Sequence, residues 1–304
     1  MTQCGGNQHS VISLSSATWA TRVSDVAQLT KSRITVMVVM TTFIGYQLGV
    51  GSGMAIDLVL LTTVLGTALS CMGACALNQV LERDTDALMN RTADRPIPAG
   101  RMTLATGSLI GVTLSFAGVG LLATGANALT ALLSATTIVT YVLAYTPLKR
   151  ITSVSTIVGA VPGALPPVMG YTAATGRIEL PIVVVFLIMF LWQLPHFLAI
   201  AWLYREDYAR AGMPMLPVVD PSGVSTFRQM LLGCLALLPL GLLPTMLRIS
   251  GVVYFAGALL CGLMFLAAAI ALVIRPTRAR AKWVFYASLV YLPAVLALMM
   301  IDRV

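Results

Sequence analysis

The chain has 304 residues, of which 58% are hydrophobic and only 10% charged, and it carries a formal net charge of +8. Soluble domains carry roughly 25% charged residues, so an ordinary soluble enzyme is excluded and a multi-pass membrane protein is expected, with no nucleic-acid partner. Its polar stretches are too short to bury a second core.

Residues 1–30 are polar and rich in Ser and Thr, and they lack the apolar stretch of a secretory signal. They are expected to form a tail that is disordered or lies on the membrane surface, with 31–304 forming one polytopic domain. Apolar windows of about 20 residues, the length a spanning helix needs, occur near 34–52, 57–81, 104–124, 127–147, 153–173, 180–203, 227–247, 251–274 and 283–301. The expected fold is therefore an all-α bundle of nine transmembrane helices. With nine spans, 16 of the 19 Lys and Arg residues fall on one side and Arg177, Arg248 and Arg303 on the other. The positive-inside rule makes the 16-residue side cytoplasmic, so the N-terminus is expected inside and the C-terminus outside. Eight of the 11 acids also fall on that side, which the rule does not require. Most of them lie in the loops after spans two and six, whose spacing hints at a weak internal repeat. The cysteines Cys4, Cys71, Cys75, Cys234 and Cys261 are odd in number and scattered, against a disulfide framework. Cys71 and Cys75, one turn apart, read as small-residue packing beside Gly66, Ser70 and Ala74, with metal ligation as the alternative.

Asn78, Glu82 and Asp86 close span two with i, i+4, i+8 spacing. They drift only about 40° per step, so they form one stripe about 12 Å long, while Asp84 points elsewhere. An intramembrane or membrane-edge acid is a functional candidate by default. A row of hard oxygens suits Mg²⁺, usually held by one or two carboxylates and substrate phosphates. The other reading is a solvated helix end paired with Arg83, Arg91 and Arg95. Farther on, Tyr141 and Tyr145 share a face at the end of span four, followed by Lys149 and Arg150. This suits either phosphate and carbocation stabilisation or an ordinary aromatic belt. The end of span six reads Trp192-Gln-Leu-Pro-His196, then Glu206-Asp207. His196 and Asp207 share a face if the helix is regular, which gives His196 either a cavity-lining role or that of a buried histidine bonded to a neighbouring helix.

These motifs resemble the intramembrane prenyltransferase superfamily. Asn78…Glu82…Asp86 followed by Arg91-Thr…Arg95-Pro is similar to its first acid-rich motif, with Glu82 where the family usually has Asp. Leu29-Thr-Lys31-Ser-Arg33, Tyr145-Thr-Pro-Leu-Lys149-Arg150, the Pro-rich run 159–167 and Trp192-Gln-Leu-Pro-His196…Asp207 resemble its heme-farnesylating branch, in which His196 and Asp207 replace a second Asp-rich motif. The resemblance covers about 25–300. It implies a nine-helix bundle around a central cavity open to the cytoplasmic side; the short N-terminal tail, with a single Arg before Lys31, makes a bacterial rather than a mitochondrial inner membrane the expectation. It implies Mg²⁺ held by Asn78, Glu82, Asp86 and Asp207, with Glu206 as a further candidate ligand. Farnesyl diphosphate would be bound through Arg91, Arg95, Lys149 and Arg150, and heme B would be the acceptor. Lys31 and Arg33 are assigned to the heme propionates, His196 to heme, and Tyr141, Tyr145 and Trp192 to the cavity wall. A heme A synthase or cytochrome oxidase assembly partner is a further implication. The rival readings are a prenyltransferase for an aromatic acid such as 4-hydroxybenzoate, and a multi-pass transporter.

Overall fold

The computed structural model describes residues 19–51 and 53–304. Among them nine helices are long and apolar enough to cross a membrane: Ser32–Val50, Leu58–Leu81, Leu104–Gly125, Ala128–Leu148, Ser155–Thr175, Leu180–Leu203, Val224–Met246, Val252–Ile274 and Arg278–Ile301. They match the nine expected windows, the last beginning earlier because Thr277 caps it by accepting from the Arg280 amide. Asp57, Thr103 and Asn127 cap spans two, three and four in the same way, each oxygen satisfying one orphan amide of the first turn. Of the expected irregular tail, residues 1–18 lie outside the described residues, and the last part is instead a helix, Trp19–Leu29. That helix is tied to span two, where Gln79 Nε2 donates to the Gln28 and Leu29 carbonyls at 2.8 Å.

Span five is the most enclosed, with 72% of its window buried, and it carries Pro162, Pro166 and Pro167. Internal prolines persist in membrane helices where neighbouring elements re-satisfy the freed backbone groups. Span one lies directly against it. A Cβ added to Gly45 would stand 1.9 Å from the Pro167 carbonyl oxygen, and one added to Gly170 would stand 1.9 Å from that of Thr42. Both positions must be glycine for the two backbones to meet, the small-residue packing that joins helices in lipid. Gly170→Leu is therefore expected to abolish the monodisperse, detergent-stable protein, read by size-exclusion chromatography; a normal elution profile would contradict this close approach. Spans two and three meet similarly, Ser70 sitting against Gly118. Cys75 is buried in span two, and Cys71 Sγ accepts from Thr35; among the described residues no group of three His, Cys, Asp or Glu side chains is placed to hold a metal alone.

Span four is not a uniform α-helix. It runs as α-helix over Ala128–Val139, widens to a π-helix over Thr140–Tyr145 and closes with Thr146–Leu148. Thr146 holds the wide turn shut by donating through both its amide and its hydroxyl to the Tyr141 carbonyl. Such π turns are rare and recur at functional sites. Contacts gather the segments around 31, 78–95, 149–150 and 204–210 at one end of the bundle. At the other end Tyr46 donates to Asp57, and Arg303 donates to the last carbonyls of span one.

Candidate active site

Helical hydrogen bonding continues past the end of span two, with the Glu82 amide donating to Asn78 O and the Asp86 amide to Glu82 O. A short helix, Arg83–Ala87, follows. The three side chains therefore keep the expected common face. They are buried: Asn78 is 1% exposed, Glu82 2% and Asp86 0%, so the reading as a solvated helix end fails. Asp84 is exposed and pairs with Arg83.

Each member of the stripe is met by a cation. Lys31 Nζ donates to Asn78 Oδ1 at 2.8 Å, Lys149 Nζ to Glu82 Oε1 at 2.6 Å and Arg95 Nη1 to Asp86 Oδ2 at 2.5 Å. Lys31 reaches inward from a left-handed backbone turn, φ 49°, immediately before span one. Burial pushes Glu82 upward, but Lys149 and Lys31 outweigh it and hold the carboxyl below the usual range. For Asp86 burial dominates the pull of Arg95, and the carboxyl is raised. Burial likewise lowers Lys31. Asp86 Oδ1 has no hydrogen-bond partner. A buried, unsatisfied carboxylate oxygen is costly, and here it marks a position prepared for a donor or a metal.

The π turn of span four faces the same cluster. Asn78 Nδ2 donates to Thr146 Oγ1 at 3.0 Å, so the amide that meets Lys31 also braces the turn. Tyr141 and Tyr145 stack with centroids 5.4 Å apart, and Lys149 Nζ lies 5.3 Å from the Tyr145 ring centre. Arg150 is turned differently: its guanidinium donates to the Leu81 carbonyl and caps span two.

The second cluster departs from expectation. Span six ends at Leu203, Tyr204 breaks the helix, and Arg205–Arg210 forms a separate short helix. The regular helix that would align His196 with Asp207 is absent. Asp207 pairs with Arg210 instead. Arg91, expected beside the diphosphate, sits over the rings of Tyr204 and Tyr208 and donates to the Tyr208 hydroxyl at 3.2 Å. Arg91, Tyr204, Asp207 and Arg210 line a cavity of about 380 Å³ with Asn90, Glu206 and Arg278. Buried Tyr208 meets Arg91 through both its hydroxyl and its ring. Tyr208 and Thr146 were not singled out from sequence; their neighbours Asp207 and Tyr145 were the available signal.

His196 and Trp192 lie between spans six and nine. His196 Nδ1 is 2.7 Å from Ser288 Oγ, and Trp192 Nε1 donates to the Ser288 carbonyl at 2.7 Å. The Trp192 and Phe285 rings stack on the imidazole. Because Ser288 Oγ donates to the Phe285 carbonyl, Nδ1 must carry the proton, leaving Nε2 an acceptor. Of the residues expected at heme propionates, Lys31 is committed to Asn78 and Arg33 is exposed.

The chain matches the family described as the UbiA prenyltransferase family over residues 38–292. It is 47% identical over 287 residues to a protoheme IX farnesyltransferase of Solibacter usitatus, spanning 92% of this chain and 98% of that one. A protoheme IX farnesyltransferase of Koribacter versatilis is 42% identical over 293 residues, spanning 93% and 94%. Among solved structures, a digeranylgeranylglyceryl phosphate synthase superposes with a TM-score of 0.77 at 18% identity, covering 92% of this chain and 98% of that chain. A UbiA homolog from Archaeoglobus fulgidus bound to GPP and Mg²⁺ gives 0.64 at 13% identity, covering 90% and 99%. The chain belongs to the UbiA prenyltransferase family, and within it to the group of the protoheme IX farnesyltransferases.

Proposed function

We propose that the protein transfers the farnesyl group of farnesyl diphosphate to a vinyl group of heme B, giving heme O and diphosphate. The observation that carries this reading is the convergence of Lys31, Arg95 and Lys149 on three oxygen-bearing side chains of successive turns. Buried charge at a membrane edge is expensive, and packing alone does not call for five ionised groups there. The acceptor comes from the relatives at 47% and 42% identity, which are named protoheme IX farnesyltransferases.

The donor set fits magnesium. Hard oxygens of Asn78, Glu82 and Asp86 are adjacent, and Asp86 Oδ1 lacks a partner. Two carboxylates on this stripe suit a metal held jointly by one or two carboxylates and the diphosphate. Asn78, Glu82 and Asp86 would hold the ion, whereas Glu206 and Asp207, the latter paired with Arg210, line the neighbouring cavity. When bound, it supplies charge stabilisation to the leaving diphosphate. The cations of the chain do the rest. Lys149 and Arg95 exchange their carboxylate partners for phosphate oxygens, and Lys31 adds a third positive charge, so the site is organised before the allylic C–O bond breaks. The stacked faces of Tyr141 and Tyr145 stabilise the farnesyl cation through the ring quadrupole. A porphyrin vinyl carbon then forms the new C–C bond, and the resulting cation beside the macrocycle takes up water and loses a proton. His196, with Nε2 as acceptor, is assigned to the porphyrin side, and His196→Ala is expected to weaken heme B binding. An unchanged heme titration would return it to packing between spans six and nine.

From the 16-to-3 distribution of basic residues we place the site on the cytoplasmic side of a bacterial inner membrane, with the C-terminus periplasmic. The test of the function is purified protein given farnesyl diphosphate, Mg²⁺ and equal heme B and 4-hydroxybenzoate, with products read by mass spectrometry. Heme O is expected, and its formation should stop on chelation of Mg²⁺ and return on readdition. Prenylated 4-hydroxybenzoate alone would overturn the assignment. A transporter is disfavoured because its charged groups typically lie near the bilayer midplane, whereas these acids gather at one end.

A further inference from the structure

Arg278, the first residue of span nine, belongs to no motif, yet it lines two adjoining cavities. One, of about 380 Å³, also presents Arg91 and Arg210; the other, of about 130 Å³, presents Arg205, Trp202 and Pro276. Leu203, Glu206 and Arg278 are common to both. Arg205 is held flat, its guanidinium 4.5 Å from the Trp202 ring centre. Arg91 is held by Tyr204 and Tyr208. Four arginines against Glu206 and Asp207 leave an excess of two positive charges in a region that also offers apolar and aromatic wall.

We propose that Arg278, with Arg205, holds the two carboxylates of an amphipathic dicarboxylate acceptor, the propionates of heme B, in this pair of cavities. The inference rests on the function proposed above and names where its acceptor docks. Two cavities separated by side chains suit two carboxylates on separate flexible arms. A diphosphate, whose phosphorus atoms share one oxygen, suits instead the single cluster at Lys31, Lys149 and Arg95. Below the cavities, spans six and nine run side by side. His196 lies roughly 10 Å along span six from Leu203, and Ser288 roughly 15 Å along span nine from Arg278, at 1.5 Å per residue. Arginine is suited to both carboxylates because its planar fork binds them in a bidentate way.

The test is steady-state kinetics and heme titration of the full-length protein in nanodiscs, with heme B and its dimethyl ester as probes. Arg278→Gln and Arg205→Gln are each expected to raise the heme B KM about tenfold, the scale of a lost charge-assisted hydrogen bond. The KM for farnesyl diphosphate should stay within about twofold of wild type. Esterification should weaken wild-type binding by a similar factor and add little to the loss in Arg278→Gln, and Arg278→Lys should recover part of it. Arg275→Gln, outside both cavities, is the control and keeps both constants. A normal heme B KM in Arg278→Gln, a raised KM for farnesyl diphosphate instead, or equal wild-type binding of heme B and its ester overturns the inference while leaving the function intact. A wild-type protein that forms no heme O overturns both.

Discussion

Asp86→Asn is expected to lower heme O formation at least about a hundredfold while the protein remains folded. The side chain is fully buried, one oxygen is bound by Arg95 and the other has no partner. The amide keeps the shape but removes the charge that, in this account, holds Mg²⁺ against the diphosphate. Losing one preorganised electrostatic group in an active site costs on the order of 10²–10³ in turnover. Arg95 is 24% exposed and can still donate to the side-chain oxygen of the asparagine, so the fold is expected to be retained. The measurement is heme O by mass spectrometry beside a thermal melt in detergent. Wild-type turnover would remove Asp86 from the reaction, and a collapsed melt would make its role structural.

Lys149→Met is expected to damage both stability and activity, and a second substitution separates the two. Lys149 is 12% exposed and its partner Glu82 3%. Removing one member of a buried ion pair strands the other charge and costs about 3–5 kcal/mol. Neutralising the stranded group as well, in Lys149→Met with Glu82→Gln, should restore most of the thermal midpoint. It should not restore heme O formation, because a phosphate-binding cation and a metal-side carboxylate are both gone. If the double variant regains activity along with its midpoint, the pair is a structural device only.

The spans were legible because lipid demands long apolar runs, and the windows read from composition coincide with the helices to within a few residues. The stripe was legible for a similar reason: Asn78, Glu82 and Asp86 share a face whenever helical hydrogen bonding runs through residue 86, as it does. What the sequence does not carry is which cation meets which oxygen. Lys31 and Asn78 are 47 residues apart, and Lys149 and Glu82 are 67 apart, so only the packing of span two against spans one and four brings them together. The π turn at Thr140–Tyr145 has no composition cue, since its residues are ordinary membrane-helix residues. The break at Tyr204 was also hidden, because Trp202 through Tyr208 holds neither Gly nor Pro. It moved Asp207 off the face of His196 and onto Arg210. Arg278 escaped notice because, one basic residue among several at that end, it was fully accounted for by the positive-inside count.

In this mechanism the ion pairs at Glu82 and Asp86 are a resting arrangement that a metal–diphosphate complex replaces. An experimental structure with a non-hydrolysable farnesyl thiodiphosphate and Mn²⁺ in place of Mg²⁺ tests it directly, since the anomalous signal of manganese locates the metal. The metal is expected on Asp86 and its stripe neighbours, with Lys149 and Arg95 turned onto phosphate oxygens. Manganese and diphosphate found beside Glu206 and Asp207, with Lys149–Glu82 and Arg95–Asp86 still paired, would contradict it.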